Sequence, residues 1–142
     1  TLKQDGIELY NEGEFRDAMS TLARASKFKE AETDAELWNY LGLSYLERDD
    51  AKNALKSLEK AVKIAPQSAV YRANLAFVYL MERKINKAQS EIDKAIAIDP
   101  KNGSAYFIRG TANLWERKPQ DALADAEKAI SVNPEYSSSY VL

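Results

Sequence analysis

Three prolines, Pro66, Pro100 and Pro134, lie thirty-four residues apart, and each closes a similar run. The runs are Lys60-Ala61-Val62-Lys63-Ile64-Ala65-Pro66, Lys94-Ala95-Ile96-Ala97-Ile98-Asp99-Pro100 and Lys128-Ala129-Ile130-Ser131-Val132-Asn133-Pro134. A fixed period of this length constrains the fold strongly, because each period must be one supersecondary unit that buries its apolar face against neighbours. Small residues keep step at Gly42, Ala76 and Gly110, at Ala54, Ala88 and Ala122, and at Ala61, Ala95 and Ala129. An altered earlier copy carries Gly6, Leu9, Gly13, Phe15, Ala18, Leu22 and Ala25 in the same order, thirty-six residues before their counterparts. A fifth copy opens at Ser137 and stops at Leu142, and the first residue is Thr1 rather than Met. The chain is therefore expected to be a piece of a longer protein.

Each period reads as two helices. The expected boundaries are 1–34, 35–68, 69–102 and 103–136, with 137–142 starting a fifth repeat or a capping helix. In the clearest copy, Thr33 followed by Glu36 predicts a capping box, and the helix it opens carries Leu37, Trp38, Leu41, Leu43, Tyr45 and Leu46. Asp49 and Asp50 interrupt it, and Asp50 is the expected N-cap of a second helix with Ala54, Leu55, Leu58, Ala61 and Val62 on one face. Pro66 stops that helix. The first copy has Glu30 at this point, so its second helix is expected to run on through Phe28 toward Thr33. Pro119 falls where a second helix starts, a position that tolerates its missing N–H. Gly42, Ala54 and Ala61 leave room for Trp38 and Tyr45, so enlarging such a site is expected to overpack the hairpin.

Trp38, Leu41-Gly42, Tyr45, Ala54, Leu58, Ala61 and Pro66 resemble the tetratricopeptide repeat pattern nearly residue for residue. The third copy follows with Leu75, Ala76, Tyr79, Ala88, Ile92, Ala95 and Pro100. The fourth keeps Tyr106, Gly110, Ala122, Ala129 and Pro134 but has Arg109 and Asn113 where Leu and Tyr are usual, and a looser hairpin is expected there. The resemblance implies an all-α, right-handed superhelical solenoid of antiparallel helix hairpins, four repeats plus the start of a fifth, forming one domain over residues 1–142. It also implies that the first helix of each pair lines the concave side. The carboxylate clamp of chaperone-docking members of the family fits poorly. Lys3 matches it, whereas Ile7, Tyr40, Val70 and Asn74 stand at its other positions.

With no Cys and no His, the chain lacks thiolate chemistry, sulfur-ligated metal, and the commonest general base and metal ligand. No nucleophile–base set and no phosphate-binding glycine loop is evident, so no catalytic residue, cofactor or metal ligand is assigned and no enzymatic activity is expected. The acidic pairs Asp49–Asp50 and Asp121–Asp125 read as helix-start residues favoured by caps and the helix dipole. Twenty Lys plus Arg against twenty-two Asp plus Glu gives a net charge of −2, which offers a nucleic acid no overall attraction. The Lys52, Lys56, Lys60 and Lys63 stripe reads as a solvated face. No apolar run is long enough to span a membrane, and none of the first residues forms a signal peptide, which leaves the cellular location open.

The second helices are amphipathic, whereas the first helices carry more apolar residues than one hairpin can bury. Leu46, Leu80 and Leu114 are expected at the seams between repeats. Tyr10, Asn39, Tyr40, Leu43, Asn74, Phe77, Met81, Phe107, Ile108, Thr111 and Trp115 are the candidate lining of an inner groove. The expected function is non-catalytic binding of a protein partner, as an extended peptide or a helix anchored by aromatic residues. Two alternatives stay open. The groove is filled by the chain's own C-terminal extension or by another copy, or the chain is the targeting arm of a larger enzyme.

Overall fold

A computed structural model describes residues 1–133, and among them every regular element is helical. Two compact units are present, Thr1–Pro66 and a second beginning at Gln67. The first contains α1 (Leu2–Asn11), α2 (Phe15–Ala25), a 3-10 turn (Lys29–Thr33), α3 (Ala35–Glu47) and α4 (Ala51–Ile64). The second contains α5 (Ala69–Met81), α6 (Ile85–Ile98), α7 (Gly103–Trp115) and α8 (Pro119–Val132). Consecutive helices pair as hairpins, α1 with α2, α3 with α4, α5 with α6 and α7 with α8. The segment expected to start a fifth repeat, 137–142, lies outside the described residues. No described helix is long and apolar enough to cross a membrane.

The repeat is written most clearly in the helix ends. Thr1, Asp34, Ser68 and Asn102 cap the first helix of each hairpin, accepting from the N–H three residues on at 2.9–3.2 Å. The cap of α3 is thus Asp34 rather than Thr33, because Thr33 is taken up in the 3-10 turn and the Asp34 carboxylate faces the Leu37 N–H. Asp50 caps α4 as expected, through the Asn53 N–H at 3.1 Å and its side-chain amide at 2.7 Å. Pro119 opens α8.

All four hairpin turns share one closure. Glu14 N–H donates to Leu9 C=O and Gly13 N–H to Tyr10 C=O, the paired bonds of a Schellman motif, and the same pair closes the turns after α3, α5 and α7. The geometry requires a left-handed residue at the centre. It is Gly13 in the first turn but Asp49, Arg83 and Arg117 in the others, at φ 59°, 62° and 60°.

Close packing explains the small-residue columns. A Cβ on Gly42 would lie 2.7 Å from Leu58 Cγ and 3.3 Å from the Ala54 carbonyl, so α3 and α4 approach too closely for Ala. Ala54, Leu58, Ala61, Ala88, Ile92 and Ala95 are fully buried. One apolar cluster in the first unit joins Leu22, Ala25, Ala31, Leu37 and Leu41, and another in the second joins Ala73, Ala76, Leu80, Ile92, Ile108 and Ala112.

The expected continuation of α2 through Phe28 does not occur. Ser26 Oγ donates back to the Ala23 carbonyl at 2.6 Å and α2 ends at Ala25. The extra residues form the 3-10 turn, which buries Ala31 and offers its carbonyl to the Trp38 indole N–H at 2.8 Å.

Nor is the fourth hairpin joined by a weaker version of the usual apolar contact. Arg109 donates to both carboxylate oxygens of Asp125, with Nε at 3.1 and 3.2 Å and a terminal nitrogen at 2.9 Å. Asn113 Nδ2 donates to the same carboxylate at 2.8 Å. Asp125 is only 6% exposed, and its pairing with the Arg109 guanidinium holds the latter's pKa further above its ordinary value. Two polar departures on α7 and one on α8 therefore form one hydrogen-bonded triad.

Candidate functional site

The sequence points to the first helices as the recognition surface, and the structure sorts their residues by burial. In the first unit the aromatic residues gather: Tyr10 packs on Phe15 at 5.3 Å and edge-on against Tyr40 at 5.4 Å between ring centroids. Burial first, then the nearby Glu47 and Tyr40, raise the Tyr10 phenol above its ordinary pKa. Tyr10, Tyr40 and Leu43 are half-buried. Asn39 is not a groove residue: it is 5% exposed, and no buried side-chain polar atom among the described residues lacks a hydrogen-bond partner. Its amide belongs to the interior.

In the second unit Asn74, Phe77, Phe107 and Thr111 are half-buried. Phe77 rests on the core cluster, and the Thr111 hydroxyl is taken by the Phe107 carbonyl at 3.1 Å. Ile108 is also withdrawn from the groove, because at 5% exposure it is consumed by that same cluster. Of the candidate groove residues in this unit, Met81 at 52% and Trp115 at 37%, the last residues of α5 and α7, are exposed; outside that set Val70, Leu114, Leu123 and Ile130 are exposed as well. Of the row expected at the seams, Leu80 is buried and Leu46 half-buried, whereas Leu114 is exposed.

Two features escaped sequence reasoning. The Arg83 guanidinium carbon sits 4.1 Å from the centroid of the Trp115 ring, bringing the turn after α5 onto the end of α7. Phe28, 59% exposed, borders a pocket of about 310 Å³ that also includes Leu2, Ala25, Ala31 and Leu37. Nothing in the repeat pattern marks Phe28, because it lies in the inserted stretch. Arg83 had a signal in the spacing, since its turn faces the helix end one period later.

The single match to a carboxylate clamp is already occupied. Lys3 Nζ pairs with Asp34 and Glu36, both at 3.0 Å. Burial lowers its pKa, and the hydrogen bonds to the two carboxylates outweigh this and raise it. A ligand carboxylate would have to displace both. On α4, Lys60 lies 4.7 Å from the Trp38 ring centroid, and Lys56 and Lys63 line an open groove with Glu32 and Glu59, a mixed-charge surface.

Solved structures share this architecture. MamA from Desulfovibrio magneticus RS-1 superposes with a TM-score of 0.81 at 23% identity, over 94% of this chain and 75% of that one. YrrB, described as a TPR protein with an unusual peptide-binding site, gives 0.78 at 19% identity, over 93% and 67%. The first TPR of Spaghetti (RPAP3), solved with the HSP90 peptide SRMEEVD, gives 0.67 at 24% identity, over 72% and 82%. Among curated proteins none matches the sequence. Two family profiles, both described as tetratricopeptide repeat, match residues 5–69 and 45–107 and so run together through most of the described helices. With the thirty-four-residue period, the shared hairpin closures and these matches in hand, the chain belongs to the tetratricopeptide repeat family.

Proposed function

We propose that the chain, read as one repeat domain over residues 1–142, is a non-catalytic protein-binding module that takes a peptide or helix on the apolar surface of its first helices. The carrying observation is that Met81 and Trp115, one period apart, remain exposed at the ends of α5 and α7 while the cores beside them are closed. Large apolar groups left in water at matching positions mark interaction surfaces. Peptide binding by proteins of the same fold, YrrB and the first TPR of Spaghetti, supports the reading.

The test is selection of dodecapeptides from a random displayed library, followed by calorimetry on the chain and on a Met81→Ala, Trp115→Ala double variant. Met81 is 52% exposed but Trp115 only 37%, so the variant should melt lower yet stay folded by circular dichroism at the assay temperature, and bind the selected peptides at least tenfold more weakly. Equal affinity for the two proteins would refute the assignment.

A second reading, self-assembly, is favoured by one observation: Leu114 and Leu123 are exposed beside a pocket of about 190 Å³ walled by Pro119, Ala122 and Ala126. Sedimentation at rising concentration should then show a dimer that Leu123→Glu abolishes. A concentration-independent monomer refutes this reading.

A further inference from the structure

We propose that Arg83 and Trp115 form a composite subsite for a partner segment whose apolar anchor is flanked by Asp or Glu. The inference rests on the protein-binding reading above and names the chemistry of one part of that surface. Its first support is the stack itself. The Arg83 guanidinium carbon is 4.1 Å from the centroid of the Trp115 ring, a contact made through the face of the cation that does not itself consume its N–H donors. Among the described residues no carboxylate lies within ion-pair distance of Arg83. The two arginines on this unit's first helices are engaged, Arg72 with Glu91 at 2.8 Å and Arg109 with Asp125 at 2.9 Å.

The second support is the local charge. From Met81 to Lys87 the chain carries Arg83, Lys84 and Lys87 against Glu82 alone. Across the site, Glu116 accepts from Gln89 at 2.7 Å and sits 4.0 Å from Lys118, so its charge is partly answered. The carbonyl ends of α5 and α7 oppose an incoming anion with roughly half a negative charge each, which Arg83 and Lys84 of the turn and Lys87 at the start of α6, less Glu82, exceed by about one charge. The third is composition. Met81, two residues before Arg83, and the part of Trp115 in contact with water are apolar, so Arg83 stands beside exposed apolar surface. This end of α5 lies seven residues beyond Asn74 and eleven beyond Val70, so the subsite is distinct from the clamp positions.

Three pools of fluorescein-labelled dodecapeptides test the proposal, each built around a fixed Leu-Phe pair and flanked by Asp and Glu, by Lys and Arg, or by Ser and Asn. The acidic pool should bind most tightly by anisotropy, about two- to fivefold better than the neutral pool for one exposed ion pair, with the margin shrinking as salt is raised. Arg83→Asn removes the charge while keeping a residue that accepts positive φ, so the fold is retained. It should erase the acidic preference, and Trp115→Ala should weaken all pools. Pools that bind equally, or an acidic preference that survives Arg83→Asn, would overturn the subsite and leave the broader protein-binding assignment standing. Failure of every pool to bind would overturn both. An oligodeoxythymidine that binds as tightly as the acidic pool would also overturn the subsite, assigning its cations to a polyanion.

Discussion

Replacing Asp125 with Ala is expected to destabilise the second unit by about 2–4 kcal/mol. The value follows from what the substitution leaves behind. Asn113, 8% exposed, loses the acceptor of its 2.8 Å bond, and an unsatisfied buried donor costs about 1–3 kcal/mol. Arg109 loses a two-oxygen partner, but its side chain keeps 34% exposure and Asp93 stands 3.9 Å away, so screening and a substitute partner hold that loss to about 1 kcal/mol. Urea unfolding followed by circular dichroism reads the total, and hydrogen exchange in α7 and α8 reads its location. A triple variant, Arg109→Leu, Asn113→Tyr and Asp125→Ser, restores the Leu41, Tyr45 and Ser57 combination of the second hairpin. It is expected to recover most of the loss, because apolar packing of similar volume replaces a buried ionic network at little or no cost. A loss below about 1 kcal/mol for Asp125→Ala, or protection unchanged in α8, would refute the view that the triad holds this hairpin together.

The remaining predictions concern close packing, turns and pH. Gly42→Ala should cost about 1–3 kcal/mol, since its Cβ meets Leu58 at 2.7 Å, whereas Gly110→Ala, with nearest approaches of 3.3 Å, should cost less because better helix propensity offsets part of the crowding. Thermal melts of the two variants compare them directly, and equal losses would contradict the packing argument. Asp49→Gly should stabilise by up to about 1 kcal/mol, because φ 59° disfavours a side chain there; a lowered midpoint would show that Asp49 does something beyond turning the chain. The Asp50 carboxyl is held below its ordinary value of 3.8 chiefly by the Asn53 side-chain amide and then by the Asn53 N–H. A depressed folded-state pKa contributes stability that is complete above the unfolded value and fades as pH falls through the folded one. Asp50→Asn, which caps without titrating, should therefore decline less between pH 5 and pH 2 in urea midpoint than the parent chain. Parallel declines would disprove the linkage.

Helix boundaries were legible because their determinants are local. Asp50, Pro119 and the prolines act within a turn of their own position, and the Gly and Ala columns repeat in register. What escaped was tertiary. The stop of α2 at Ala25 goes with a 3-10 turn tied to Trp38 seven residues from Ala31, a bond that no propensity encodes. Along the sequence the triad reads as two weak positions and a helix-start acid, because its members lie on two helices and meet only once α7 and α8 pack. Polar residues replacing both Leu and Tyr in one repeat, with an Asp twelve residues beyond Asn113, were the available signal. Ile108 and Asn39 read as groove residues from their positions on the first helices alone, a reading that ignores burial against the neighbouring helices. The exposed ends at Met81 and Trp115 survived that simplification because the last residue of a helix has few neighbours left to cover it.

The tie between Trp38 and Ala31 separates two kinds of length variation. Residues added between Ala25 and Ala35 change how far the first hairpin's polypeptide travels before the next begins, while the contacts inside either hairpin keep their register. Breakpoints for swapping repeats between relatives belong in this stretch. A splice there transfers an intact helix pair, provided that the incoming sequence restores an acceptor for the indole.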